Sequence, residues 1–270
     1  MKSTILLFDI EILSFAFGDA WQTMASNNSS MISFGWKWEG ESKAHCIGLD
    51  EWPEDYKKDP WNDKNLVKEA HKIISRASGL VAHYGNKFDV KYCRSKFMEH
   101  GLDPQVMTMP TRDTCLEARK QFKLSSNRLN NLATFLKVPL QKDKMTPLDW
   151  FKGVARSIPR SMKKMNKYCK QDVEVLDSVY SKMRTLFTSA SWPNAHLVIG
   201  GHAKSGCPDC GTTNTRMSEP YITKANKRWK FKCYDCGKRF CTTLKIDDDE
   251  YNVWVKGGIQ AVLEWRLENT

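Results

Sequence analysis

No apolar run in this chain of 270 residues approaches the ~20 that a membrane-spanning helix needs. Internal repeats and low-complexity tracts are also missing, which sets aside solenoids and compositionally biased tails. A secretory leader is imitated only briefly: Lys2 and "TILLF" start like one, but Asp9 and Glu11 break the apolar core too early. Acidic residues are scarce beside basic ones, 31 against 42, leaving a net charge of +11. Such a balance points to a polyanionic partner, nucleic acid before anionic membrane, and nothing in the chain supports the membrane. Disulfide spacing is absent as well. Cys46, Cys93, Cys115 and Cys169 stand singly, as reduced core cysteines do, while the other five crowd between residues 207 and 241. That pattern fits a reducing compartment and a metal, so an intracellular, cytoplasmic protein is expected.

The order of elements is legible from periodicity. Strands are expected in "TILLFDIE", in "MISFGWKW" (31–38) and in "AHCIGL" (44–49), with a polar loop before the second. An amphipathic helix spans 62–77, with Asn62 or Asp63 as its cap, and a buried strand follows at 79–83. A helix over 89–101 is closed by Gly101, and another short strand ends at "RDT" (112–114). Helical pieces are expected at 115–122, 128–137 and 147–155, and the longest helix at about 160–187. Three meandering strands followed by alternating helix and strand describe an α/β layered domain with a mixed sheet. Composition changes near 190–203, where a second, smaller domain begins.

Asp9 and Glu11 raise the first functional question. Two residues apart on a strand, they point the same way, and two carboxylates on one buried face repel and lose hydration. An edge strand with a wet face would tolerate them; a divalent cation would require them. Two further acids favour the cation. Asp89 follows a buried strand at the start of a helix, and Tyr168 and Asp172 lie four apart on the long helix, hence on one of its faces. Four acids meeting above a sheet make a site for two Mg²⁺ or Mn²⁺, which take oxygen ligands. Histidine and cysteine are absent from that set, which argues against zinc there.

D-x-E on strand one, F-D after a buried strand and Y-x-x-x-D on a late helix resemble the signature motifs of the DEDD 3′–5′ exonucleases. These are DnaQ-like enzymes on a ribonuclease-H-like fold, and Tyr168 matches their tyrosine subtype. The likeness extends over "AHYGNKFDVKYCRSKFMEHGLDP", "RDTCLEARKQFKLSSNRLNNLATFLKV", "MKKMNKYCKQDVEVLDSVY" and "WPNAHL". It is strongest to small polymerase-associated exonucleases found mainly in bacteriophages, which would place the protein in a host cytoplasm. The resemblance implies that Asp9 bridges both ions, that Glu11 and Asp172 hold the ion activating water, and that Asp89 supports the second ion through water. It also implies that the Tyr168 hydroxyl orients the attacking water. Relatives commonly carry Asn where this chain has Tyr84, so substrate preference or rate is open to change there.

Nearby residues have plainer readings. Glu174 and Asp177 are expected to be solvated or ion-paired, Asp113 to be a turn acid in preference to an outer-shell residue of the site, and His83 to pack and hydrogen-bond near the site. Ser126 and Asn127 match a family segment near the substrate groove, but as a cap for the 128–137 helix they need no further reason.

"CPDCG" (207–211) and "CYDCGK" (233–238) give two C-x2-C pairs separated by 22 residues. Each is a knuckle presenting two thiolates, and Cys207, Cys210, Cys233 and Cys236 complete a tetrahedron for one Zn²⁺, leaving Cys241 spare. Residues 203–245 hold ten Lys or Arg against three acids. Tyr221, Trp229, Phe231 and Tyr234 interleave with them. Such a surface suits single-stranded nucleic acid, with Lys227, Arg228, Trp229, Lys230 and Lys232 as contacts; docking on a protein is the alternative. A second run, 152–170, has seven cations and no acid. Its Lys163, Lys164 and Lys167 lead into Tyr168 and would guide a backbone to the metals, unless they are only a solvated face. The tail 246–270 either packs back on the ribbon or forms a dimer contact.

The expected architecture is therefore a ribonuclease-H-like exonuclease domain (1–190), a zinc ribbon (203–245) and a helical tail (246–270). The expected function is metal-dependent 3′–5′ hydrolysis of nucleic acid, single-stranded DNA first, with a DNA polymerase as a candidate partner. An exoribonuclease of the same chemistry, a non-catalytic binding or polymerase-tethering module and a ribonuclease-H-like endonuclease stand as alternatives.

Overall fold

The computed structural model describes residues 5–14, 24–139, 146, 158–187, 206–242 and 245–268. The chain divides into two units, Met1–Met183 and Arg184–Thr270. The first is built on a five-stranded sheet: β1 Ile5–Ser14, β2 Ser29–Trp38, β3 His45–Gly48, β4 Gly79–Ala82 and β5 Thr111–Asp113. Their order is β3-β2-β1-β4-β5, with β1 at the centre. β1 runs parallel to β4, and β4 parallel to β5, while β2 is antiparallel to both β1 and β3. The short run "GLVA" is fully buried, as a strand inside a covered parallel pair must be.

Among the described residues this unit has six α-helices: α1 Pro53–Lys58, α2 Lys64–Ile74, α3 Asp89–Glu99, α4 Thr114–Gln121, α5 Leu129–Phe135 and α6 Pro159–Met183. α2 turns Leu66, Val67, Ala70, Ile73 and Ile74 inward against β2, the face its 3.6-residue period requires. α3 ends at Glu99, and Gly101 follows it at φ +69, a conformation that glycine adopts without a steric penalty. The helix expected at 147–155 lies outside the described residues.

α6 packs on β1, β2 and β3. Gly35 on β2 permits this close approach: a Cβ there would stand 2.8 Å from Cys169 Sγ and 3.2 Å from the Cys169 carbonyl. Asn166 fixes the helix laterally, accepting from Ser33 Oγ and donating to Asp50 at 2.8 Å. Lys37, buried on β2, reaches Glu174 at 3.0 Å and Asp177 at 2.8 Å. The two acids are thus ion-paired, and they pin the next turns of the same helix.

Asp63 departs from its expected role. It precedes α2 but makes no side-chain cap. Its carboxylate turns inward instead, accepting from Met31 N at 2.9 Å and pairing with Lys96 at 3.1 Å and His100 at 2.7 Å. Removing one partner of a buried pair strands the other charge. Asp63→Ala is therefore expected to cost about 3 kcal/mol, a fall of roughly 10 °C in the thermal midpoint of the first unit by circular dichroism.

The second unit holds an antiparallel sheet of β6 Thr215–Ile222, β7 Lys227–Cys233 and β8 Arg239–Cys241, followed by α7 Asp248–Glu268, which breaks at Gly258. Cys207, Met217, Trp229, Phe231, Phe240 and Ile246 form its core, and Val262, Trp254, Ile259 and Leu263 of α7 pack against them. Between the two possibilities open for the tail, it packs back on the sheet. Lys227 strengthens the closure, meeting Asp248 at 2.6 Å and lying over the Tyr251 ring.

Candidate active site

Asp9 and Glu11 sit where β1 runs past the end of β4. The paired residues of those strands are Ile5 with Gly79 through Leu7 with Val81, so Asp9 lies just beyond the ladder. This is the carboxyl end of the parallel strands, where open α/β sheets place their ligands. Both side chains are half-buried on one face, and the register of β1 shifts immediately after Glu11. A bulge at that point re-aims the strand next to the site, a recurrent use of this irregularity. Ligand oxygens of Asp9 and Glu11 lie within 4.8 Å of one another and of Cys169 Sγ.

Cys169 is thus nearer the carboxylates than a scattered core cysteine was expected to be. Its thiol donates to the Asp9 carbonyl at 3.7 Å. The Cys46 side chain, then burial, then the charges of Asp9 and Glu11 hold its pKa well above the ordinary thiol value. A protonated, buried thiol serves as packing between helix and strand. Tyr168 and Asp172 lie on the same helix as Cys169: one turn separates the two, and Asp172 is three residues beyond Cys169. Asp172 is buried and Tyr168 half-buried.

Asp89 and Asp172 fall outside the 4.8 Å group of Asp9, Glu11 and Cys169. Asp89 nonetheless reaches β1, since its carboxylate accepts from the backbone N–H of Ile10, between the two acids. Desolvation pushes its pKa up to about 7, and the neighbouring Asp113 adds to the rise. The sign is definite. A carboxyl whose folded pKa exceeds its unfolded value of 3.8 costs stability as pH rises from about 4 to 7. In metal-free protein, Asp89→Asn is therefore expected to raise the thermal midpoint at pH 8 and to leave it nearly unchanged at pH 4.

Asp113 proves to be more than a turn acid. At the end of β5 it caps α4, its Oδ1 accepting from Cys115 N and Leu116 N, both at 3.0 Å. The same carboxylate accepts from Tyr84 N and Asn86 N, again at 3.0 Å. One buried side chain thus fixes the loop that carries Asp89. Local sequence offered only the turn reading; the loop contact depends on β4 and β5 lying side by side. His83, as expected, packs close by and meets Thr114 Oγ1 at 2.9 Å. Asn127 and Ser126 do not cap α5 as expected: the N-cap residue is Arg128, without a side-chain cap bond.

In the second unit, the four cysteine sulfurs lie within 4.8 Å of one another, with Cys207 to Cys236 at 3.6 Å and Cys210 to Cys233 at 3.7 Å. Disulfides would be far shorter, about 2.05 Å. Four thiolates around an ion at 2.3 Å would be about 3.8 Å apart along the tetrahedron's edges, so the spacing fits. Gly211 and Gly237 end the two knuckles at φ +75 and +77. Asp209 N and Cys236 N donate to the sulfurs of Cys207 and Cys233.

Alternation along β7 sorts the predicted contacts. Trp229, expected on the nucleic-acid face, is 1% exposed and belongs to the core with Phe231, so neither can stack on a base. Lys238 is also buried, donating to the carbonyl of Thr185. The opposite face keeps its charge. Arg216, Lys232 and Arg239 are exposed and directly paired across the three strands. Arg216 and Lys232 both lie over the exposed Tyr234 ring, and Lys230 over Tyr221. Lys227, Arg228 and Lys230 are half-buried, the first engaged with α7. On α6, Lys163 and Lys167 are exposed and Lys164 half-buried.

A five-stranded mixed sheet in the order β3-β2-β1-β4-β5, with acids at the carboxyl ends of its parallel strands, is an α/β fold with a candidate site at that edge. The family model of the RNase H superfamily matches residues 30–184, and the chain belongs to that superfamily. The matched stretch includes Asp89, Tyr168 and Asp172; Asp9 and Glu11 precede it. Among solved structures, the chain is similar to the family B DNA polymerase from the hyperthermophilic archaeon Pyrobaculum calidifontis, at 13% identity and a TM-score of 0.49. That similarity covers 66% of this chain and 24% of the polymerase. No curated protein matches the sequence.

Proposed function

We propose that the protein is a metal-dependent nuclease, specifically a 3′–5′ exonuclease releasing nucleoside monophosphates from single-stranded DNA. The observation that carries this reading is the convergence on β1: Asp9 and Glu11 side by side, Asp89 bonded to the residue between them, and α6 drawn in at Gly35. Oxygen donors in that number suit Mg²⁺ or Mn²⁺, with Asp9, Glu11, Asp89 and Asp172 as the holding residues. Divalent ions bound there supply a nucleophilic water at neutral pH and neutralise the leaving oxygen. Tyr168 orients the attacking water through its hydroxyl, and Asp113 keeps the Asp89 loop in register. Lys163, Lys164 and Lys167 draw the phosphate backbone toward the site.

The second unit, in this reading, is a zinc ribbon whose outer sheet face tracks the same strand. Like charges directly opposite in a sheet are destabilising. The row Arg216–Lys232–Arg239 is retained because a phosphate backbone neutralises it. Exposed Tyr234 and Tyr221 add stacking surfaces.

The test uses a 5′-labelled single strand with Mg²⁺ or Mn²⁺. Stepwise shortening from the 3′ end is expected, and a 3′-phosphorylated end should resist. Internal cuts in a closed single-stranded circle would replace the exonuclease reading with an endonuclease.

A further inference from the structure

Cys46 and Cys169 are far apart in the sequence and meet in the fold. Cys46 on β3 is directly opposite Gly35 on β2. Residues paired in this way turn their side chains to one face, with Cβ positions about 5 Å apart. Gly35 sends nothing into that space. The Cys169 sulfur of α6 fills it, 2.8 Å from where a Cβ of residue 35 would stand. The two cysteine side chains are accordingly in hydrogen-bonding contact, and both are reduced. They differ in access. Cys169 is fully buried, while Cys46 is half-buried on β3, the outermost strand on that side of the sheet.

The same sulfur adjoins the candidate active site. Cys169 Sγ lies within 4.8 Å of ligand oxygens of Asp9 and Glu11, and its thiol donates to the Asp9 carbonyl at 3.7 Å. A change at Cys169 therefore acts directly on β1. Packing alone asks for one small side chain beside Gly35. Two touching thiols, one of them within reach of solvent, add a bond that can be made and broken.

We infer that Cys46 and Cys169 form a reversible disulfide in response to peroxide, and that this bond weakens divalent-ion binding by Asp9 and Glu11. Hydrogen peroxide transfers one oxygen to the Cys46 sulfur, leaving a sulfenic acid and one water. The Cys169 sulfur then attacks that sulfur and displaces hydroxide, which takes the Cys169 proton and leaves as a second water. Two thiols thus lose two electrons and two protons, and one peroxide is reduced. The sulfurs close from contact to about 2.05 Å. Asp9 loses the S–H that its carbonyl accepts, and the sulfur is drawn toward β3 and away from β1. Disulfides in reducing compartments are chiefly transient ones of this kind. The effect on ions rests on the nuclease reading; formation of the bond does not.

Full-length protein is treated with hydrogen peroxide, digested with trypsin and analysed by mass spectrometry without reductant. Peptides 44–57 and 168–170, each with one cysteine, should appear joined and separate on adding dithiothreitol. Binding of Mn²⁺, followed by the electron paramagnetic resonance of the free ion, should weaken at least about tenfold on oxidation and recover with dithiothreitol. Partners outside a ligand set commonly contribute 10- to 100-fold in affinity. Cys46→Ser and Cys46→Ala should bind Mn²⁺ equally well before and after peroxide, which separates the effect from oxidation of the knuckle cysteines. Absence of the joined peptide would overturn the inference. So would a joined peptide with unchanged Mn²⁺ affinity, or an equal loss of affinity in the Cys46 variants. Failure of the reduced protein to bind Mn²⁺ would overturn the nuclease reading instead, and the joined peptide alone would then decide the disulfide.

Discussion

Asp9→Asn and Asp172→Asn are each expected to slow phosphodiester hydrolysis by at least about 100-fold, since even partners outside the ligand set commonly contribute 10- to 100-fold at metal sites. Amides keep the size of the side chain and lose its charge, so the fold should survive. Asp9 is half-buried at the end of the β1–β4 ladder, and Asp172 is one buried position on a helix already held by Asn166 and Lys37. Far-ultraviolet circular dichroism should therefore overlay with wild type. Tyr168→Phe should lose less, on the order of tenfold, because the water keeps its metal. Initial rates on a 5′-labelled strand separate the three. Hydrolysis at the wild-type rate by Asp9→Asn would show that the acids on β1 are not the catalytic centre.

Removal of the metal proposed at Cys207, Cys210, Cys233 and Cys236 is expected to be the second large effect. The core of the second unit is small, Trp229, Phe231 and Phe240 with a few aliphatic neighbours, and cores of that size seldom sustain a fold unaided. Metal bound by four thiolates contributes on the order of 10 kcal/mol to such units. Chelation, or Cys233→Ser, should thus abolish the protected amides of β6, β7 and β8 while β1, β2 and β4 stay protected in hydrogen exchange. Elemental analysis should return one zinc per chain. Metal-free protein with an intact β6–β8 sheet would show that the packing of α7 alone sustains the unit.

Much of this was legible in the sequence because the signals were local. Alternation named β1 and β2, the 3.6-residue period named α2 and α6, and Gly101 marked the end of α3. The grouping of Asp9 and Glu11 followed from period two. What was hidden depended on tertiary placement. Asp63 looks like a cap, and only its burial against Lys96 and His100 turns it inward. Asp113 looks like a turn acid until β5 is laid beside β4. Trp229 interleaves with lysines in the sequence, as an exposed stacking residue would, yet strand alternation sends it to the core and the lysines outward. The same rule applied to β7 would have separated Trp229 from Lys230 had the strand's inner face been known. Cys169 was invisible as a neighbour of the carboxylates because its contact crosses from α6 to β1 through the space left by Gly35.

The most direct test of the account is a crystal soaked in Mn²⁺ with a nucleoside monophosphate, measured for anomalous scattering. Manganese peaks bounded by Asp9, Glu11, Asp89 and Asp172, with the phosphate against them, are predicted. A crystal with full occupancy of the nucleotide and no anomalous peak at those carboxylates would contradict it.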